Sequence, residues 1–244
     1  MRTITYLILA LIVVTQTGCE KYPWDKCEIG EGDSFEEVRN FENFHTFVLD
    51  IPAEVQIIPD TNLTQSKIVV FAQENVNKEV ITSVRNGVLS VSFNKCFKSH
   101  KDIVFKIYTP WLQNITLNTA SRVSTAKSIY GEHFTIIAKS GTNINISCVV
   151  DSINTQFKSA GNINIDGYAS RQVLNSTGSG KYMAPYLVSD SVLFNITGSG
   201  YSSVYSVGYL IGSIDGNSIL DFNGEDSLNL NTQVLGSGTI NDLR

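Results

Sequence analysis

The chain repeats itself about every 20 residues, and that spacing restricts the fold more than any other feature of the sequence. Ser140–Ile146 (SGTNINI) returns as Ser159–Ile165 (SAGNINI), Gly178–Ala184 (GSGKYMA), Gly198–Val204 (GSGYSSV), Gly216–Phe222 (GNSILDF) and Gly236–Asp242 (GSGTIND), with a degenerate first copy at Thr119–Thr125. Aligned on the small residue before each strand, the copies are Ser121, Thr142, Gly161, Gly180, Gly200, Ser218 and Gly238, spaced 21, 19, 19, 20, 18 and 20 apart. A unit this short has no room for a helix beside its strands. It predicts a β-solenoid in which each copy is one rung.

The columns agree. Two residues after the anchor stand Val123, Ile144, Ile163, Tyr182, Ser202, Leu220 and Ile240; four before it stand Leu117, Ala138, Phe157, Ser176, Ile196, Ile214 and Val234. Both columns are mostly apolar, whereas the positions between them are mostly Asn, Ser, Lys and Tyr. That is strand alternation around a small-residue corner, with one face buried. An antiparallel sandwich with GSG hairpins is the alternative, but hairpin loops would not keep one column apolar through seven copies.

Ahead of the repeats, residues 1–18 have the pattern of a signal peptide: Arg2, a short apolar run at Leu7–Val14, then Thr17-Gly18-Cys19. The run is far short of the ~20 residues that span a bilayer. A small pair before a cysteine resembles the lipobox of bacterial lipoproteins, in which Cys19 becomes the acylated N-terminus. Gln16 stands where that pattern prefers Leu. A membrane partner through this N-terminal lipid is therefore expected, in an outer-membrane lipoprotein of the cell envelope. Residues 19–40 are acidic and read as a tether. The formal net charge is −5, one unit more negative once Arg2 is removed, and no basic patch appears. Nucleic acid is excluded as a partner on that ground.

Residues 41–113 are β-rich without the GSG corner, and residues 114–244 carry the regular rungs; together they read as one continuous domain. Asn86-Gly87 marks a tight hairpin turn. A short turn of helix is the most that fits Glu74–Glu79.

Several segments, taken in order, resemble a known family. A cysteine-containing acidic lead runs from Cys27 to Arg39, followed by Phe44–Asp50 (FHTFVLD), Ile81–Leu89 (ITSVRNGVL), Asn94-Lys95-Cys96 and Ile107–Leu112 (IYTPWL), and then by GSG rungs to the C-terminus. This ordered set is similar to the putative auto-transporter adhesin, head GIN domain family of bacterial lipoproteins, over about residues 27–244. The resemblance implies a right-handed parallel β-helix on an envelope lipoprotein. It carries over no catalytic residues.

The residues themselves offer little enzymology. His45, His100 and His133 have no partners at metal or triad spacing, and no nucleophile elbow or P-loop is present. Asp166, Asp215, Asp221 and Glu225 fall at different rung phases, which gives poor support to a paired-carboxylate site. No metal or cofactor is expected. Binding is better supported. Asn143 should stack over Asn162 and Asn145 over Asn164, and Tyr201 and Tyr205 share outward parity, with Tyr182, Tyr186 and Tyr209 nearby. Such a face suits a glycan, the rings stacking on sugars while amides bond hydroxyls; its bland alternative is a ladder that only stabilises the coil. Asp-Ser-aliphatic triplets at Ser152, Ser191 and Ser227 resemble acceptors of a periplasmic O-glycosylation system, or else are turns leading into strands.

Three cysteines remain besides Cys19 in an oxidising compartment. Cys148 sits among rung residues, where a small buried thiol is common. Cys27 and Cys96 lie in polar segments, and a Cys27–Cys96 disulfide is expected to staple the lead onto the N-terminal rungs. The expected function is a non-catalytic adhesion or scaffold module, with a glycan or a cell-surface protein as its partner. A glycan- or lipid-binding lipoprotein is the alternative, and a polysaccharide-cleaving β-helix the third.

Overall fold

The computed structural model describes residues 26–158 and 160–244. The apolar leader and Cys19 lie outside the described residues. The amino-terminal elements, in chain order, are β1 (Glu28–Ile29), β2 (Ser34–Phe41), β3 (Thr46–Leu49), β4 (Glu54–Pro59), β5 (Ser66–Gln73), α1 (Glu74–Glu79), β6 (Val80–Arg85), β7 (Val88–Phe93), β8 (Phe97–Ser99), β9 (Val104–Thr109), β10 (Asn114–Leu117) and β11 (Arg122–Thr125). Asn86 and Gly87 turn between β6 and β7 with φ of 51° and 72°, the left-handed pair that a type I′ hairpin needs.

The stacking expected from residue 114 begins earlier. β3 and β4 already form a rung, parallel to β10 and β11 on one side and to β7 and β9 on the other. The chain thus lays down its second rung first, then the outermost, then the third. Between these visits it makes the excursion β5–α1–β6. β6 closes the edge of β7, β5 closes the edge of β9, and β2 closes β5, all antiparallel. This end of the solenoid is capped by antiparallel strands instead of ending on an open parallel edge.

The tether assigned to residues 19–40 is corrected over its described part. β1 pairs with β8, and β2 runs along the whole of β5. Glu36 and Glu37 made β2 look like solvated chain, but charges are normal on an edge strand. Its Arg39 points inward and donates to the Asn77 side chain and to the Asn77 and Val80 carbonyls at 2.7–3.0 Å, tying β2 to α1 and β6. Cys27 and Cys96 form a disulfide, 69 residues apart in sequence, beside the β1–β8 pair.

Above the cap follow β12 (Ile129–Ala138), β13 (Asn143–Phe157), β14 (Asn162–Ser176), β15 (Lys181–Ile196), β16 (Tyr201–Ile214), β17 (Ile219–Gly224), β18 (Asn229–Val234) and β19 (Thr239–Asp242). Every pairing among them is parallel. Asn143 faces Asn162, then Lys181, Tyr201, Ile219 and Thr239 in successive rungs, the register that the small-residue anchors predict. This excludes the hairpin sandwich. Val123, Ile144, Ile163, Tyr182 and Leu220 are fully buried, as are Leu117, Ala138, Phe157 and Ile214 in the other column. Rungs approach so closely at the anchors that a Cβ on Gly180 would lie 2.2 Å from the Gly161 carbonyl oxygen and 2.5 Å from the Phe157 ring. Inward parity switches between Val150 and Ile153, and again between Ser189 and Val192, so Asp151-Ser152 and Asp190-Ser191 are corners within long strands.

Candidate functional site

Outward positions of the strand that follows each anchor form two columns up one sheet face. The first reads Arg122, Asn143, Asn162, Lys181, Tyr201, and the second Ser124, Asn145, Asn164, Met183, ending where Ser203 is buried. Parallel pairing at ~4.8 Å spacing places the first column over about 19 Å of surface. The carboxamides bond along the stack: Asn162 Nδ2 donates to Asn143 Oδ1 at 3.0 Å, and Asn164 Nδ2 to Asn145 Oδ1 at 2.7 Å. These four asparagines, with Arg122, Lys181, Met183 and Tyr201, line a shallow groove of about 480 Å³.

The structure therefore brings Asn143, Asn145, Asn162, Asn164 and Tyr201 together. Tyr201 donates to Asp221 Oδ2 at 2.5 Å, and that bond, aided by burial, pushes its phenol up. Tyr205 lies farther along β16, its hydroxyl 3.4 Å from Glu225 Oε1. Tyr182 does not belong to this face. It is fully buried in the apolar column two residues after its anchor, where the alternation of the strand turns it inward. Its hydroxyl accepts from Gln172 Nε2 at 2.9 Å, and Gln172 Oε1 accepts from Ser189 Oγ at 3.1 Å, so the core satisfies its polar end. Burial pushes this phenol strongly up.

One feature escaped the sequence reading. In β15, Ala184 pairs with Val204 of β16, but the next pair is Val188 with Tyr205. Pro185, Tyr186 and Leu187 form a bulge, with Leu187 fully buried beneath it and Tyr186 79% exposed. The bulge walls a second groove, of about 520 Å³, lined by Asn145, Asn164, Asp166, Met183, Pro185 and Tyr186 among others. The only trace of it in the sequence is the change of spacing from 20 to 18 residues after Gly180 and Gly200.

The remaining candidates stay apart. Ser152 and Ser191 share a corner column with Arg171 between them, and both are half-buried. Ser152 Oγ is hydrogen-bonded to His133 Nδ1 at 2.8 Å, and Ser191 Oγ donates to the Ser170 carbonyl at 3.3 Å. Ser227 sits exposed in a turn. Asp221 is held by Tyr201 and Asn241, and Glu225 by Tyr205. Among the described residues no three His, Cys, Asp or Glu side chains gather as a metal site. No helix among them is long and apolar enough to cross a membrane. Cys148 is fully buried, and burial, with Asp166 adding to it, pushes its thiol up to about 12.

The sequence pattern of the family described as putative auto-transporter adhesin, head GIN domain, matches residues 44–225. The chain belongs to this family. Several solved structures share its fold, three of them as follows. A putative adhesin from Bacteroides fragilis superposes with a TM-score of 0.82 at 18% identity, over 88% of this chain and 99% of its own. A putative adhesin from Parabacteroides merdae gives 0.67 at 18% identity, over 88% and 98%. A putative lipid binding protein from Parabacteroides distasonis gives 0.68 at 18% identity, over 90% and 100%. At such identities the likeness is one of fold. No curated protein matches the chain.

Proposed function

We propose that this head GIN chain is a non-catalytic adhesion module of the cell envelope, held to the outer membrane by a lipid on Cys19. The observation that carries the reading is the in-register face of outward asparagines, Lys181 and Tyr201 running across five rungs. A stiff parallel stack holds those groups at fixed spacing, so a partner meets a surface with little conformational entropy left to lose. Of the carboxylates weighed for a hydrolase, Asp221 is engaged by Tyr201 and Asn241, and Glu225 by Tyr205. The family's description as adhesins supports the same reading.

Beads coated with the full chain should adhere to host-type surfaces or to neighbouring bacteria. Replacing Asn143 and Asn162 together with aspartate should reduce that adhesion while the chain stays folded, with a melting temperature only a few degrees lower for the lost Asn162–Asn143 bond and the two stacked charges. Adhesion that is indifferent to this face would overturn the assignment.

A further inference from the structure

We propose that the groove beside Tyr186 is a binding site for a neutral saccharide chain. This deepens the adhesion reading by naming its ligand class, and rests on it only for the biological setting.

The bulge is the first argument. β15 carries extra residues against both neighbours: Asn164 pairs with Met183 and Asp166 with Tyr186, one residue more on β15, before the larger mismatch with β16. Leu187 fixes the bulge from below, and Pro185 restricts its backbone. Tyr186 is thereby held out from the sheet with 79% of its surface exposed. Nothing in the packing needs an aromatic ring there. Bulges of this kind commonly re-aim a side chain beside a functional site.

The chemistry of the walls is the second. The groove, at about 520 Å³, has the size of a single-ligand site. On its floor, Asn164 Nδ2 is committed to Asn145 Oδ1, which leaves the Asn145 amide hydrogens as donors and the Asn164 oxygen as an acceptor. Asp166 adds a carboxylate that accepts strong hydrogen bonds from hydroxyls. A sugar hydroxyl is at once donor and acceptor, and the C–H face of a pyranose fits against an exposed ring. No lysine or arginine lines this groove, so phosphate, sulfate and uronate groups would meet Asp166 without compensation. An acyl chain would strand the amides and the carboxylate unpaired. The Tyr186 groove shares Asn145, Asn164 and Met183 with the groove at Tyr201, where Arg122 and Lys181 stand, so the track suits a linear oligosaccharide whose units beside Tyr186 are uncharged.

The full chain should be screened on an array of neutral β-glucan, mannan, galactan and N-acetylglucosamine oligosaccharides, and beside it on phosphatidylethanolamine–phosphatidylglycerol vesicles. At least one oligosaccharide should bind, and Tyr186→Ala and Asp166→Asn should each weaken it about tenfold or more. Tyr130→Ala, exposed elsewhere on β12, should leave the affinity unchanged. Binding of no saccharide, binding untouched by Tyr186→Ala, or binding to vesicles in its place overturns the site. If Tyr186→Ala abolishes saccharide binding while bead adhesion persists, the saccharide site stands and the adhesion reading of it fails. Adhesion lost together with sugar binding supports both.

Discussion

Ile163 and Asn164 are neighbours on β14 with opposite duties. Ile163 is fully buried between Ile144 and Tyr182, while Asn164 is exposed and bonded to Asn145. Ile163→Asp would place a carboxylate between apolar rungs with no partner, at about 3 kcal/mol or more. Asn164→Asp loses one solvent-exposed hydrogen bond, worth about 1 kcal/mol or less. In a domain of this size the first should lower the melting temperature by roughly 8 °C or more and the second by about 3 °C or less. Equal shifts in a thermal melt would contradict the register. This contrast was legible in the sequence because alternation assigns each residue to one face. The same alternation placed Tyr182 inward, in the apolar column; only its phenol suggested a surface role. What composition did not disclose is that Gln172, from outside the repeat motif and itself held by Ser189, would satisfy that hydroxyl.

At the scale of elements, the repeated strands were readable and the cap was not. β5 and β6 alternate like any rung strand, and period-2 patterning does not say whether the neighbour runs parallel or antiparallel. The visiting order, second rung before outermost, leaves no local mark at all. The bulge at Pro185–Leu187 hid inside a spacing that already wandered between 18 and 21 residues. The pairing of Cys27 with Cys96, in contrast, followed from the polar setting of the two thiols, and the bond sits where β1 joins β8. Lys95 reinforces this corner: its ammonium bridges Glu28 at 2.8 Å and Glu79 at 3.1 Å, and those hydrogen bonds push its pKa up. Closing a loop of 69 residues contributes roughly 4 kcal/mol on the chain-entropy model. The double variant Cys27→Ser/Cys96→Ser should therefore melt lower. It should also lose hydrogen-exchange protection at Glu28 and Gly30, whose amides donate to the Cys96 and Ser99 carbonyls. The amides of β13 and β14 should keep theirs. Unchanged protection at Glu28 and Gly30 would show that β1 holds without the bond.

The whole molecule is a rod with a stapled end, and the staple lies close to the proposed anchor. Cys27 lies eight positions after Cys19, at most about 28 Å of extended chain. A lipid on Cys19 would thus hold the β1–β8 corner near the membrane and leave the groove-bearing rungs displaced along the stack. Thiol chemistry tests the anchor, because Cys27 and Cys96 are consumed by the disulfide and Cys148 is buried with its thiol pushed up to about 12. The native chain should take up no alkylating reagent at pH 8, since the thiolate is the reactive form and burial withholds it. In denaturant without reductant one equivalent should react, at Cys148 alone, if Cys19 carries thioether-linked lipid; a second equivalent at Cys19 would remove the anchor. Cys19→Ser should in parallel shift the chain from the detergent-extracted membrane fraction to the soluble one, with the fold unchanged by circular dichroism. Should that variant remain with the membranes, attachment runs through some other part of the molecule, and the proposed orientation of the rod goes with it.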